Sequence, residues 1–357
     1  MFTHLEDKNC TINKNIYLKI NDNWHNKEKL PKIETVDIEI LSDNDTIVSA
    51  FDVGALDVLT TNVCALSDTE LTSSMYNIYE TELNHFTYMG FNTNSSYFDT
   101  PEERQDVFNL IDKNKLCENI MLGHGVVANS PSREGVYYNE PPAEDEKEID
   151  KIEGAEDAES DINKKDSEVK DYSAEGKSKK YDKDEKDEKD EEDEEGEEKN
   201  VVTLLYNSDN KTKERLASAI KHELEMGGYN VELRGFPYDE YITKMAGREY
   251  ELYIGEVKIG NSGDISFMFS GAPQSHNICT YQSEELATMV SNINRMDTRN
   301  KKIIAWGNFE KFYRDKAFQL PLYFSKGGVM INKRISGKPE VNLTTFFGGF
   351  NELYLKN

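Results

Sequence analysis

The feature that most constrains the fold of this chain is an alternation of strand and helix patterns that starts at residue 201. The first strand pattern, VVTLLY, is an almost continuous apolar run, as in a strand whose two faces are both buried. Two more strand patterns, YNVELRGF and YELYIG, follow it, and a helix pattern precedes each of them. Because helical crossovers join parallel strands, this order predicts an α/β lobe with a mainly parallel sheet from about residue 200 to about residue 330.

The first of these helix patterns is amphipathic. Its apolar face carries Leu216, Ile220 and Leu224, and the pair Gly227 and Gly228 is expected to end it. The last segment of this region, LPLYFSKGGVMINKRISGKPEVNL, reads as a series of short strands and turns.

A second helix is well signalled before the acidic region. Thr100 is expected at the N-cap, Pro101 at the first helical position, and Glu103 where its carboxylate can reach back to the cap. Gly123 is expected to provide a left-handed exit. The apolar stripe between these ends consists of Val107, Leu110 and Ile111.

The acidic character of the chain is concentrated in one segment. The net charge is −26, and residues 144–199 contain 27 Asp or Glu and 12 Lys, a net of −15, which leaves −11 for the rest. A segment with so few apolar side chains cannot offset the entropy of ordering, so we expect 140–199 to be a disordered acidic insert. The negative charge disfavours nucleic acid as a partner.

The composition excludes most chemical functions. The six histidines are scattered and form no H-E-x-x-H motif, and the four cysteines show no zinc or disulfide spacing, so buried free thiols are expected. No cofactor, no metal and no enzymatic activity is predicted. Asp57 and Asp112 are conceivable general bases, but capping a turn or pairing with a cation is the more common role of such residues.

The sequence predicts no direct membrane insertion. It contains no 18-residue apolar run, and its first residues, MFTHLEDKNCTINKN, lack the basic start and apolar core of an export signal. A cytoplasmic location is therefore expected if the protein begins here. The 19 tyrosines and 16 phenylalanines suit either a core or a cleft that accepts varied ligands.

A series of segments resembles, in order, the family 5 extracytoplasmic solute-binding proteins, which are the oligopeptide- and dipeptide-binding components of ABC importers. In the third segment the matching residues include Phe91, Asn92, Asp99, Arg104 and Asp112. The resemblance covers nearly the whole chain except residues 140–200. Its segments are YLKINDNW, AFDVGALDVLTTN, FNTNSSYFDTPEERQDVFNLIDKNKL, LLYNSDNKTKERLASAIKHELEMGGYNVEL, YELYIG and LPLYFSKGGVMINKRISG.

The resemblance implies a periplasmic-binding-protein-like (class II) clamp of two α/β lobes that closes on a peptide. A partial proximal lobe would comprise 1–88 and 335–357, because this chain starts inside the family's proximal lobe. The distal ligand-binding lobe would comprise 89–139 and 200–334. The acidic insert, 140–199, would lie outside both lobes.

The resemblance also implies candidate ligand-binding residues. Relatives place an aspartate shortly after the position of Gly255 to pair with a peptide's amino group, whereas Lys258 and Ile259 stand there in this chain. Glu256 or Asp264 could replace that acid, or a lysine could instead favour a carboxylate-bearing ligand. The full set is Thr87 and Tyr88 at the crossover between lobes, Gly255 and Glu256 after the cleft strand, Asp264, and Asn277 with Tyr281 near the cleft.

Two functions follow from the resemblance. The first is a solute-binding subunit that captures short peptides outside the cytoplasm and delivers them to the membrane permease of an ABC importer. The alternative is a degenerate or split fragment of such a protein, acting as an interaction protein without transport. The resemblance implies a location outside the cytoplasm, whereas the lack of an export signal implies a cytoplasmic location if the protein begins here. Both locations stay open at this point.

Overall fold

The computed structural model describes residues 2–4, 15–41, 44–61, 75–133, 201–260, 263–269, 280–342 and 345–356. These residues belong to one compact unit, Met1–Asn139 with Asn200–Asn357. The predicted insert at 140–199 lies outside the described residues, and so does the candidate site residue Asn277. The division into two lobes at residues 88 and 334 stays a prediction.

The strands, in chain order, are β1 (Phe2–His4), β2 (Asn15–Ile20), β3 (Thr35–Glu39), β4 (Val58–Thr61), β5 (Tyr76–Phe91), β6 (Gly125–Val127), β7 (Val201–Asn207), β8 (Asn230–Phe236), β9 (Leu252–Lys258), β10 (Gln319–Asn332), β11 (Ile335–Ser336), β12 (Glu340–Asn342), β13 (Thr345–Gly348) and β14 (Tyr354–Leu355). The α-helices are α1 (Asn44–Asp52), α2 (Pro101–Leu110), α3 (Lys113–Met121), α4 (Lys211–Met226), α5 (Tyr238–Gly247), α6 (Ser266–Phe269), α7 (Glu284–Arg295) and α8 (Arg299–Lys316).

One seven-stranded sheet organises the fold. Its order is β4-β10-β5-β9-β7-β8, with β6 paired to β10 beside β4. The predicted parallel strands are confirmed, since β7 is parallel to both β8 and β9. The sheet as a whole is mixed because β5 runs antiparallel to β9 and to β10. The α/β class is therefore confirmed, with a mixed sheet at its centre where the sequence predicts a mainly parallel one.

The prediction of short strands and turns for LPLYFSKGGVMINKRISGKPEVNL is wrong for its first part, whereas the short strands β11 and β12 confirm it for the rest. Residues 319–332 form the single long strand β10, which pairs with β5 on one side and with β4 and β6 on the other. The glycine pair within this strand, Gly327 and Gly328, is needed for close packing. A Cβ on Gly328 would collide with the backbone of Tyr79, and one on Gly327 would meet the side chain of Leu83.

The helix predicted after Thr100 is two helices. The capping box between Thr100 and Glu103 is present as predicted. The first helix ends at Leu110, because the backbone of Ile111 is extended, and Asp112 starts the second helix by accepting hydrogen bonds from two backbone N–H groups. Gly123 has the expected left-handed conformation, with φ of 88°. The local capping ability of Asp112 outweighs the continuous apolar pattern.

The sheet separates two apolar cores. On one face α2, α3 and α4 pack against alternate residues of β5, β7 and β9. On the other face α5, α6, α7 and α8 pack around Trp306, Phe309 and Phe318. Both faces of β7 are thus covered, as its apolar run predicted. None of the helices in the described ranges combines the length and apolar character needed to cross a membrane.

Tyrosine rings lie over glycines on neighbouring strands at three places in the sheet. Tyr88 faces Gly255 across β5 and β9, and Tyr253 faces Gly90 across the same pair. Tyr206 and Gly235 repeat this arrangement between β7 and β8. Each glycine leaves room for the ring, since a Cβ on Gly255 would lie 2.5 Å from Cζ of Tyr88. These glycines are therefore part of the packing of the sheet.

Candidate functional site

A buried lysine forms the centre of a charged cluster on the α4 side of the sheet. Lys213 Nζ lies 2.5 Å from Glu256 Oε2 and donates a hydrogen bond of 3.0 Å to Thr87 Oγ1. The lysine side chain is only 7% exposed, whereas the glutamate side chain is 35% exposed. The ammonium group also lies 5.9 Å from the ring centroid of Tyr323. The glutamate is thus the member of this cluster that solvent or a ligand can reach.

Local structure explains why these residues meet. Thr87 and Glu256 are direct partners in the register of β5 and β9, so both side chains project from the same sheet face. Lys213 lies in the first turn of α4, whose N-cap is Asn210. That helix starts just after β7 ends, at the carboxyl edge of the parallel strands. Open α/β sheets bind ligands beyond this edge, so the position suits a binding site.

The charges of the cluster influence one another. Lys213 is the main reason that the pKa of Glu256 is lower than its ordinary value, with further help from hydrogen bonds and from His85. Burial lowers the pKa of His85, which lies opposite Lys258 in the register. The Glu256 carboxylate is thus paired with the Lys213 ammonium group, and Lys258 lies two residues further along β9.

Lys213 was not among the residues predicted for the site, although the sequence contains a signal for it. Counting along the helix, Lys213 precedes Leu216, Ile220 and Leu224 on the same stripe. A lysine on the buried face of an amphipathic helix needs a partner, which marks it as a candidate. The identity of that partner, Glu256, depends on strand pairing and could not be derived from the helix alone.

The structure places the other predicted site residues in different surroundings. Tyr88 is buried against Gly255 on the opposite face of the sheet from Thr87, and its ring stacks on Phe86. Tyr281 is partly buried and stacks on Phe318 with ring centroids 4.8 Å apart, against the core around α6, α7 and α8. Ligand binding by these residues stays a prediction.

Asp264 has a capping role in the structure. Its Oδ1 accepts hydrogen bonds from the backbone N–H of Ser266 and from Nδ2 of Asn294, each 2.8 Å long. Burial acts to raise the pKa of Asp264, but these hydrogen bonds outweigh it and the pKa is lowered. The carboxylate thus joins α6 to α7. A ligand ammonium would compete with both of these donors.

The common roles expected for Asp57 and Asp112 are confirmed. Asp57 forms an ion pair with Arg334, and Asp112 caps α3. Cys117 is buried, as expected, while the other three cysteines lie outside the described residues. Within the described ranges, no group of three or more His, Cys, Asp or Glu side chains is arranged to hold a metal ion.

The family of the chain follows from its sequence. Residues 8–276 match the model of the bacterial extracellular solute-binding proteins, family 5. The chain belongs to this family. The resemblance seen in its motifs is thereby confirmed. No curated protein is significantly similar to it in sequence.

Solved structures of the family share the fold of this chain. The substrate-binding protein CtaP of an ABC transporter from Listeria monocytogenes is 16% identical, with a TM-score of 0.71, over 99% of this chain and 66% of that one. AppA from Bacillus subtilis, an oligopeptide-binding protein in complex with a nonapeptide, is 15% identical with a TM-score of 0.63, over 100% and 66%. NikA from Brucella suis, in complex with Fe(III)-EDTA, is 14% identical with a TM-score of 0.67, over 99% and 68%.

The TM-scores of these three structures, 0.63 to 0.71, show a common fold. The chain spans 66% of the length of CtaP and of AppA, so about two thirds of their architecture has a counterpart here. The ligands named for the relatives differ, from a nonapeptide to a metal chelate. The fold therefore does not select the ligand, and the choice depends on the side chains of the site.

Proposed function

We propose that this protein is the solute-binding subunit of an ABC importer. Outside the cytoplasm it captures an oligopeptide between two lobes, and it then delivers the peptide to the membrane permease. Family membership supports the binding role. The observation that carries the proposal is the cluster of Lys213, Glu256 and Thr87 at the carboxyl edge of the parallel strands. A buried charged pair with one accessible member is typical of a polar recognition site.

The cluster favours a particular end of the peptide. The positions at which the family resemblance implies an ammonium-binding aspartate hold Lys258 and Ile259, and Ile259 is buried. Glu256 is already paired with Lys213, and Lys258 is exposed beside it. A peptide carboxylate, at the C-terminus or on an acidic side chain, would therefore be stabilised by Lys258 more than an amino group would be by Glu256.

Calorimetric titration with short peptides tests this function. We expect binding of peptides with a free C-terminal carboxylate, and weaker binding of the same peptides after C-terminal amidation. N-terminal acetylation should have the smaller effect. If no peptide of any length binds to the folded full chain, the proposed function is wrong.

A variant at Lys258 separates the ligand end from the function as a whole. K258M should weaken binding of free-carboxylate peptides by about tenfold, since one charged hydrogen bond contributes about 1.5 kcal/mol. Amidated peptides should bind the variant and the parent protein equally. K301M, a change to a lysine exposed on α8, is the matched control and should leave both affinities unchanged. Equal losses for both peptide forms would point to general damage to the cleft instead.

A second candidate is an interaction protein of the same fold that takes no part in transport. The two candidates differ in their effect on the importer. A transport subunit should stimulate the ATPase of its reconstituted permease in the presence of peptide. Peptide binding without such stimulation would favour the second candidate.

A further inference from the structure

His85 lies beside the charged cluster of the candidate site. It precedes Thr87 by two residues on β5, so both side chains project from the same face of the sheet. The direct partner of His85 in the register is Lys258, the last residue of β9. The histidine is partly buried and the lysine is exposed. This pair therefore lies at the carboxyl edge of the parallel strands, further out than Thr87 and Glu256.

The side chains of His85 and Lys258 are both available to a ligand. Within the residues that the structure describes, neither the imidazole ring nor this ammonium group forms a hydrogen bond with another residue. Residues directly opposite each other on neighbouring strands have Cβ atoms about 5 Å apart. A carboxylate that binds to the lysine therefore also lies within reach of the ring.

The surroundings of His85 favour a neutral ring when no ligand is bound. Burial is the main reason that the pKa of His85 lies below its ordinary value of 6.5. Glu256 acts to raise this pKa, whereas Lys258 and Lys213 act to lower it. On the β10 side, Lys326 donates a hydrogen bond to a backbone carbonyl in the turn before β6. At neutral pH the ring is therefore mostly uncharged.

The two acids of β5 are paired with other cations. Glu80 Oε1 lies 2.6 Å from Nδ1 of His124, and Glu82 forms an ion pair with Arg133. Neither acid is available to a protonated His85. A ligand carboxylate would therefore be the new counter-ion of this ring.

We propose that His85 is a further ligand-binding residue of the site, and that it takes up a proton when a peptide carboxylate binds between it and Lys258. This role rests on the proposed function, the capture of a peptide at this cluster. A bound carboxylate raises the pKa of the neighbouring imidazole, because an opposite charge stabilises the protonated form. Binding and protonation then favour each other, so the affinity for free-carboxylate peptides should increase as the pH falls.

Calorimetric titration of the full chain in buffers of different ionisation enthalpy measures the protons taken up on binding. The probes are alanine peptides with an acetylated N-terminus, in free-carboxylate and amidated forms, since acetylation removes the titratable amino group of the peptide. We expect uptake of up to about one proton for the free-carboxylate form and none for the amidated form. From about pH 8 to about pH 5, the affinity for the free-carboxylate form should increase by up to about tenfold, the effect of a change of one in the pKa of His85.

A variant of His85 assigns the proton to this residue. H85Q keeps a side chain that can form hydrogen bonds, but it cannot titrate in this range. It should abolish the proton uptake and make the affinity nearly independent of pH. H222Q, at an exposed histidine of α4, is the matched control and should retain the uptake. Uptake that persists in H85Q, or that H222Q also removes, would overturn the role of His85.

A second measurement needs no substitution. In histidine NMR titrations of the unchanged protein, the pKa of His85 should rise when the free-carboxylate peptide is bound and stay constant with the amidated peptide. A constant pKa with the free-carboxylate peptide bound would overturn the role of His85 and leave the proposed function standing. If none of the acetylated alanine peptides binds, this role fails together with peptide capture at the cluster.

Discussion

Lys213 Nζ on α4 and Glu256 Oε2 on β9 lie 2.5 Å apart. The same ammonium group also donates a hydrogen bond to Thr87 on β5. The lysine is almost completely buried and the glutamate is partly exposed. Removing one member of such a pair leaves the other with an uncompensated charge. The pair therefore connects the stability of the fold to the charge of the candidate site.

Replacing the buried lysine should destabilise the protein. K213M leaves Glu256 without its main partner and Thr87 without its donor, and we expect a loss of about 1–3 kcal/mol in the free energy of unfolding. The partial exposure of the glutamate keeps the loss below that of a fully buried pair. Urea denaturation measures the effect. K301M, at an exposed ion pair, should change stability by less than about 0.5 kcal/mol.

Acid should destabilise the protein through Glu256. Since Lys213 lowers its pKa, the folded state binds a proton at this carboxyl more weakly than the unfolded state does. The resulting stabilisation is complete above the ordinary value of 4.5 and is lost as the pH falls through the folded pKa. E256Q should therefore lose less stability than the parent protein on acidification below pH 4.5. The measurement is the melting temperature of each protein as a function of pH. Parallel curves for E256Q and the parent protein would contradict the expectation. E240Q, at an exposed position of α5, is the control.

The packing of Tyr88 over Gly255 should make this glycine intolerant of substitution. G255A adds a Cβ that would lie 2.5 Å from Cζ of Tyr88, so we expect destabilisation of about 1–3 kcal/mol. In a Y88L background the same change should be less harmful, because the colliding ring is absent. A double-mutant cycle in urea measures this coupling. Additive effects would show that the ring and the glycine do not constrain each other.

Arg104 should not be replaceable by lysine. Its guanidinium donates hydrogen bonds to the carbonyl oxygens of Phe98, at 2.6 Å, and Lys316, at 2.8 Å, and the residue is buried. A lysine cannot reach both carbonyls with the same planar fork, so R104K should cost about 2 kcal/mol of stability. Thermal unfolding of R104K and of the exposed-site variant R314K gives the comparison. An unchanged midpoint for R104K would contradict this role.

The sequence by itself determined the local elements. The capping box at Thr100 and Glu103, the apolar stripe of α4 and the buried run of β7 depend on residues within a few positions of one another, and all three occur as predicted. The burial of Lys213 could also have been derived from the sequence, because helical spacing places this lysine on the apolar stripe of α4.

Only the tertiary structure decided which distant segments meet. Strand β10 is a long central strand because β4, β5 and β6 supply partners for both of its edges, and its glycine pair serves close packing. The pairing of Lys213 with Glu256 depends likewise on the register of β5 and β9 and on the position of α4. Capping and periodicity are short-range effects that act along the chain. Strand register and the neutralisation of a buried charge depend on contacts between residues far apart in sequence, so they are fixed only when the sheet forms.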